Sequence, residues 1–292
     1  MADSLHVGQT KPPAAVMRRP ARRRTPGAAM NAVWWFISVG LFISLWELSA
    51  ALGWINVLIL PPPHMFIAEI QNQAQFLSPR VGDARVGANF AALAAILSTL
   101  QRVIIGVTLA FVSAVTFGGL ASYFRLFRNL TMPTITLLAP IAPVAWIPLA
   151  ILIFGVGNLV AIFVVFIGIF FTLTLATVTC VNNVDQVYIN TARVLGANRR
   201  QVMRHVVLPA IIPNIFVILR MNFFGAWTGV LAAEMVGVNT GLGAIIMVGR
   251  SMFNARLMFL GMALIGIVGY LLDVAFAQVQ KRVLWWKGTA NV

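Results

Sequence analysis

Acidic residues are scarce in this chain: seven Asp and Glu stand against twenty-one Lys and Arg in 292 residues. Charge of either sign makes up 10% of the sequence and 60% is hydrophobic, whereas ordinary globular proteins carry roughly a quarter charged residues. So few ionic groups cannot supply the polar skin of a soluble protein, which leaves an integral membrane protein. Cysteine is nearly absent, and the single Cys180 excludes an internal disulfide and thiolate-rich zinc or iron–sulfur sites. Three scattered histidines, His6, His64 and His205, speak against a histidine metal centre or a clustered catalytic constellation. No G-x-x-x-x-G-K-[ST] phosphate loop is present, so the chain has no such site of its own for ATP.

What is abundant is long apolar runs. A stretch of about 18 or more such residues reads as a transmembrane helix. Six are expected, at 32–53, 99–124, 133–154, 158–181, 208–233 and 257–280. Small residues in the second span (Gly106, Gly118, Gly119, Ala121) suit close helix–helix approach. Short segments of alternating polarity are lacking, which disfavours an outer-membrane barrel. The fold class is therefore an all-α integral membrane protein.

Orientation follows from the bases, because Lys- and Arg-rich loops stay cytoplasmic. With the N-terminus inside, the inner segments hold Lys11, Arg18, Arg19, Arg22, Arg23, Arg24, Arg125, Arg128, Arg193, Arg199, Arg200, Arg204, Lys281, Arg282 and Lys287. The outer segments hold only Arg80, Arg85, Arg102, Arg250 and Arg256, and Arg220 falls within a span. Both termini are expected in the cytoplasm, with the net charge of +14 reflecting topology and contact with anionic lipid. Residues 1–29 read as a disordered basic cytoplasmic tail preceding a transmembrane domain over 30–292. A nucleic-acid-binding tail and a cleaved signal peptide are the rival readings. The basic run abuts a span, and the apolar core of about 20 residues exceeds that of a signal peptide.

Several features interrupt the apolar pattern. The outer segment from Trp54 to about Ser98 opens with Leu60-Pro61-Pro62-Pro63, read as a stiff extended stretch. An amphipathic segment from Met65 to Phe76 follows, suited to a short surface helix or an ordinary connector. The third span carries Pro133, Pro140, Pro143 and Pro148. That many prolines demand a kinked or unwound helix, tolerated in lipid where protein or a water-filled cavity satisfies the freed backbone. Pro140, Pro143, Trp146 and Pro148 are thus candidate pathway or gate residues, together with Trp227. Among intramembrane charges, Glu234 and Arg220 are the functional candidates. Arg220 is also open to an internal pairing with an acid, whereas Glu47 and Asp273 are expected to snorkel to an interface.

The most informative stretch runs from Asp185 to Pro213. Asp185 is placed to cap a short helix, and Gly196 after Val194-Leu195 is placed for a left-handed stop. Asn198 then caps a helical turn from Arg199 to Val207, and Leu208-Pro209 ends it. Val202, Val206, Met203 and Val207 give that turn an apolar face among Arg199, Arg200 and Arg204. A helical hairpin of this kind suits another protein's groove; a partnerless surface loop has the same spacing.

Asn190-Thr191-Ala192-Arg193-Val194-Leu195-Gly196-Ala197, then Leu208-Pro209-Ala210-Ile211-Ile212-Pro213 and Leu219-Arg220, resembles the EAA loop of binding-protein-dependent ABC importer permeases. Trp46-Glu47-Leu48, Leu60-Pro61-Pro62-Pro63, Thr99-Leu100-Gln101-Arg102, Pro140 to Leu149, Ala233-Glu234-Met235 and Gly241-Leu242-Gly243 are similar to the branch importing nitrate, sulfonates, taurine and bicarbonate. The likeness covers roughly residues 40 to 280. Asn190 stands where the motif has Glu, Thr191 where it has Ala, and Ile218 where it has Gly.

The resemblance implies a type I ABC importer permease fold in a multi-pass protein of the bacterial inner membrane. It implies ATPase coupling through 185–207, carried by Asn190, Thr191, Ala192, Arg193, Leu195, Gly196, Ala197, Arg200, Met203, Leu208 and Pro209. Implied partners are cytoplasmic ABC ATPase subunits, which hold the ATP and magnesium, and a periplasmic or lipid-anchored solute-binding protein. A second permease copy is also implied, a homodimer being expected over a sister chain. No enzyme activity, cofactor or nucleic-acid partner is expected of this chain. The expected solute is a small anion; a thiamine-precursor-like heterocycle is the alternative, and a self-sufficient secondary transporter a more distant one.

Overall fold

The computed structural model describes residues 28–68 and 88–283. The basic tail, most of the Met65–Phe76 segment, Arg80, Arg85, Lys287 and His6 lie outside the described residues. Eleven α-helices occur in the described chain, and no strand does. In order they are α1 (Ala28–Ala51), α2 (Pro63–Ala68), α3 (Ala88–Tyr123), α4 (Arg125–Leu138), α5 (Ile147–Phe154), α6 (Asn158–Asn182), α7 (Gln186–Val194), α8 (Arg199–Val202), α9 (Leu208–Gly237), α10 (Leu242–Ser251) and α11 (Ala255–Val283). Five helical stretches are long and apolar enough to span a bilayer, and the bent pair of α4 with Pro143–Phe154 makes a sixth.

Helix α6 is the centre of the bundle. It packs between α3 and α9, and Val160, Ala161, Val164, Val165, Ile169 and Leu173 are fully enclosed. In lipid, apolar side chains gain nothing from leaving water, so close contact itself must hold the helices. Small residues on α3 permit that contact. A Cβ on Gly106 would lie 2.6 Å from the Val165 side chain, and one on Gly118 would lie 2.7 Å from Thr177. Ala110 and Ala114, equally buried, continue this seam between the two glycines. The repeat of three to four residues keeps them on one face of α3.

The third span is broken, as its prolines require, but its bounds differ from those expected. Its helix starts earlier, at Arg125, so Arg125 and Arg128 lie on α4 rather than in a loop. The axis then turns by 100° between Leu138 and Pro143. Each proline has a separate place: Pro133 inside α4, Pro140 in the turn, Pro143 opening a 3-10 turn over Pro143–Trp146, and Pro148 in the first turn of α5. Ala142 takes the extended conformation (φ −58°, ψ 139°) that a following proline imposes.

Two other expectations are corrected. The proline run is not extended throughout, because Pro63 itself opens α2; all three prolines are buried. Helix α2 leans on α1 and α11 through Trp46, Phe66 and Phe259, whose rings pack 5.6–6.4 Å apart. Nor does Leu208-Pro209 end a helix. A π-helical turn over Met203–Val207 joins α8 to α9, with the Leu208 N–H reaching back to Met203 O. The wide turn gives the Pro209 ring room against the carbonyl four residues earlier, so the helix continues through the proline.

Replacing Gly106 with Val should destabilise the α3–α6 seam by about 1–3 kcal/mol, the usual cost of overpacking. Gly119→Val, where an added Cβ meets nothing within 4 Å, should cost far less. Thermal unfolding of both variants in the same detergent measures the difference.

Candidate functional site

The loop begins where Asp185 caps α7, its carboxylate accepting from Val187 N at 3.0 Å. It turns at Gly196, whose φ of +84° lies in the left-handed region where a side chain is strained. Ala197 N bonds back to Ala192 O at 3.0 Å and Gly196 N to Arg193 O at 2.9 Å, the two bonds of a Schellman stop. Asn198 and Gln201 then form a reciprocal capping box at the start of α8. The loop geometry read from the sequence is thus present, with the π turn added.

Within this loop Asn190, Thr191, Arg193, Leu195, Gly196 and Arg200 are exposed, while Ala192, Ala197, Met203 and Leu208 pack against the bundle core. Pro209 is also exposed, at the start of α9. The surface is apolar to an unusual degree: Val194 is 88% and Leu195 82% exposed, with Val187 and Tyr188 open beside them. Among the described residues, one hydrogen bond joins the loop to another membrane helix. The Arg199 guanidinium donates to Tyr123 O at 2.6 Å and lies 4.6 Å from the centre of the Tyr123 ring.

At the other end of the bundle lies a polar knot that the sequence reading left unassembled. Arg102 and Glu234 form a buried ion pair, 3% and 1% exposed. Arg102 donates through Nε and Nη2 to Asn158 Oδ1 (3.1 and 2.7 Å), through Nη1 to Thr240 O (2.8 Å) and Glu234 Oε1, and through Nη2 to Thr240 Oγ1. Every guanidinium N–H therefore has an acceptor. Glu234 accepts further from Thr99 Oγ1 at 2.8 Å and Gly243 N at 3.0 Å, and Thr99 Oγ1 accepts from Leu242 N at 3.0 Å. Four helices, α3, α6, α9 and α10, meet in this network.

The network corrects one expectation: Arg102 is not a base of an outer loop, since α3 begins well before it. Glu234, a pathway candidate, has its carboxylate wrapped by donors from its own chain. The available signals were Thr99 and Arg102 one helical turn apart, and glycines at 241 and 243. A Cβ at either glycine would run into Glu234.

The remaining pathway candidates divide. Trp227 is 5% exposed and packs against Gly269 of α11. Arg220 and Asp273 form a two-pronged pair, Nε–Oδ1 and Nη2–Oδ2 both 2.9 Å, which ties α9 to α11. Asp273 is thus a partner rather than a snorkelling group. Glu47 likewise binds His64, accepting from its backbone N at 3.1 Å and meeting Nδ1 at 2.8 Å. Pro143 is seated between α6 and α9, where a Cβ on Gly168 would lie 2.8 Å and one on Gly229 3.4 Å from it. Pro140 and Pro148 are exposed with Ile141, Ala142, Val144 and Ala145, and Trp146 is half-buried with its indole N–H unpartnered.

A bundle of five or six membrane-length helices, a proline-broken span and an exposed apolar hairpin loop together define a transport protein's membrane subunit. The family model for the binding-protein-dependent transport system inner membrane component matches residues 103–285, and the chain belongs to that family. A protein of Methanocaldococcus jannaschii named as an ABC transporter permease is 37% identical over 190 residues, 65% of this chain and 71% of that protein. The taurine transport system permease protein of Escherichia coli K12 is 28% identical over 252 residues, 86% of this chain and 88% of that one. Nitrate and bicarbonate permease proteins of Synechococcus elongatus are also similar. Among solved structures, a chain of the MetNI methionine ABC transporter shares the fold with a TM-score of 0.56 at 21% identity, covering 66% of this chain and 95% of that chain.

Removing one member of the buried pair strands the other's charge, at a cost of about 3–5 kcal/mol. Glu234→Gln and Arg102→Gln should each lower thermal stability sharply in detergent. Replacing both residues by apolar ones, Arg102→Met with Glu234→Leu, should recover part of the loss; a double variant less stable than either single one would contradict this account.

Proposed function

We propose that this chain forms the translocation pathway of an ATP-driven importer of small anions in a bacterial inner membrane, with both termini in the cytoplasm. The observation that carries this reading is the exposed apolar hairpin of residues 185–207, held in shape by the Gly196 stop. Its open Val187, Tyr188, Val194 and Leu195 give a cytoplasmic ATPase an apolar surface to grip. ATP and magnesium would reside on that ATPase. The relatives named for taurine, nitrate and bicarbonate support a small oxyanion or sulfonate as the solute, selected outside by a binding protein.

The pathway would run along the broken third span. Pro140, Ile141, Ala142, Val144 and Ala145 leave backbone and apolar side chains uncovered by this chain, an arrangement lipid tolerates poorly unless protein or water covers it. A second copy, facing the first across these turns, would supply the other wall. Family membership supports a loop-coupled mechanism over a self-sufficient secondary transporter.

Mass spectrometry of the chain gently solubilised from its native membrane should recover an ATPase in equal number and a solute-binding protein whose ligand is then assayed. Repeated preparations of the chain alone would count against the importer reading. In a reconstituted importer, Gly196→Val should leave membrane insertion intact while ATP hydrolysis no longer drives uptake, since a branched side chain disfavours a positive φ. Normal coupled uptake by that variant would remove the loop stop from the mechanism.

A further inference from the structure

Helices α3 and α9 flank α6, and direct polar links join them at both ends. At one end Arg102 and Thr99 of α3 hold Glu234 of α9. At the other, Arg199 of the loop segment that runs unbroken into α9 holds the last carbonyl of α3, at Tyr123. From Arg102 to Tyr123 the helix rises about 32 Å, so the two links stand roughly a membrane thickness apart. We propose that Arg199 is a positioning residue that makes α3 move with the 185–207 loop, closing with the Arg102–Glu234 pair a frame of α3 and α9 around α6.

The chemistry at Tyr123 suits such a tie. The final carbonyls of a helix lack partners within it and carry partial negative charge, so a guanidinium there is both a hydrogen-bond donor and a favourable charge. The ring adds a face for the cation, and stacking fixes the guanidinium plane in a way one hydrogen bond does not. Among the described residues this is the one hydrogen bond from the loop to another membrane helix. Without it, a displaced loop would pull α9 by continuity of the chain, while the Tyr123 end of α3, about 32 Å from the Arg102–Glu234 pair, would follow through apolar contacts with α6 and α9. That packing holds the helices side by side but supplies no directional bond at this end. A frame fixed at one end is a hinge; fixed at both, it turns as one body.

The inference rests on the ATPase-coupled reading above, and its test separates the two. Spin labels at Phe124→Cys, 53% exposed, and Gln186→Cys, an exposed residue at the start of α7, report the distance between the end of α3 and the loop. They are placed in the full complex with its ATPase, without nucleotide and with magnesium, ATP and vanadate. With Arg199 present the distance should stay the same in both states. With Arg199→Ala it should change on nucleotide trapping, and labelled taurine, nitrate or bicarbonate moved per ATP should fall about fivefold or more, the scale of a 1 kcal/mol coupling. ATPase recovery should be unchanged. Arg199→Lys, which retains a donor for the carbonyl, should restore much of the fixed distance. Should Arg199→Ala fail to assemble, Tyr123→Leu removes the ring, keeps the carbonyl, and should give a smaller change of the same kind. A distance unchanged by nucleotide in every assembled variant, with wild-type solute per ATP, overturns the role of Arg199 and leaves the importer reading standing. A wild-type preparation with no ATPase and no nucleotide response overturns both.

Discussion

A guanidinium and a carboxylate buried inside a membrane bundle set the terms for much else in this structure. Neither Arg102 nor Glu234 can be left short of partners in a medium without water, so the surrounding chain has been brought to them. That requirement explains why Asn158 opens α6, why the α9–α10 turn folds back with Thr240 towards α3, and why residues 241 and 243 are glycines. The amides of Leu242 and Gly243, which have no partner within α10, are consumed in the same network. Gly157 N meets Gly237 O at 2.9 Å beside it, so the start of α6 and the end of α9 are joined through backbone as well. Specific polar bonds fix the register at this end, and close packing along Gly106, Ala110, Ala114 and Gly118 carries that register down the helices.

Much of this was legible in the sequence, for reasons that differ by element. Spans α1, α6, α9 and α11 follow from the length of their apolar runs, because a bilayer has a fixed thickness. The loop was legible because caps and stops are local: Asp185, Gly196 and Asn198 act on residues within a few positions of themselves. The broken third span was announced by its prolines. The partners of Arg102, Arg220 and Glu47 were not legible, since each lies on another helix and no periodicity records which residues meet across a bundle. The charge tally put Arg102 among the outer bases, at the edge of its span, because a fully partnered arginine and a solvated one look identical in sequence. Proline misled at two sites, in opposite senses. Pro209 was taken to end a helix that a π turn allows to continue, and Pro63 was read as extended chain when it opens α2.

The functional residues follow a similar division. Loop residues named from the sequence lie in the hairpin, some presenting side chains outward and others, such as Ala192 and Met203, packed against the bundle. Glu234, Trp227 and Arg220 were reasonable pathway candidates by polarity or size, yet each is engaged with its own chain. What the chain leaves uncovered is the bend in the third span. Fixed polar ties thus gather around α3, α6, α9 and α11, while the α4–α5 unit is held against them largely by shape.

The seat of Pro143 gives that contrast a kinetic meaning. Its ring rests between Gly168 and Gly229, two positions with no side chain, and a proline has no N–H to commit. The contact consists of dispersion alone, which has depth but almost no preferred direction. A hydrogen-bonded joint in lipid must break its bond before it finds another, and the unsatisfied interval is the barrier. A ring in a smooth apolar cup passes through no such interval. The bend is therefore suited to repeated small displacements at low activation energy, a bearing set beside a rigid frame.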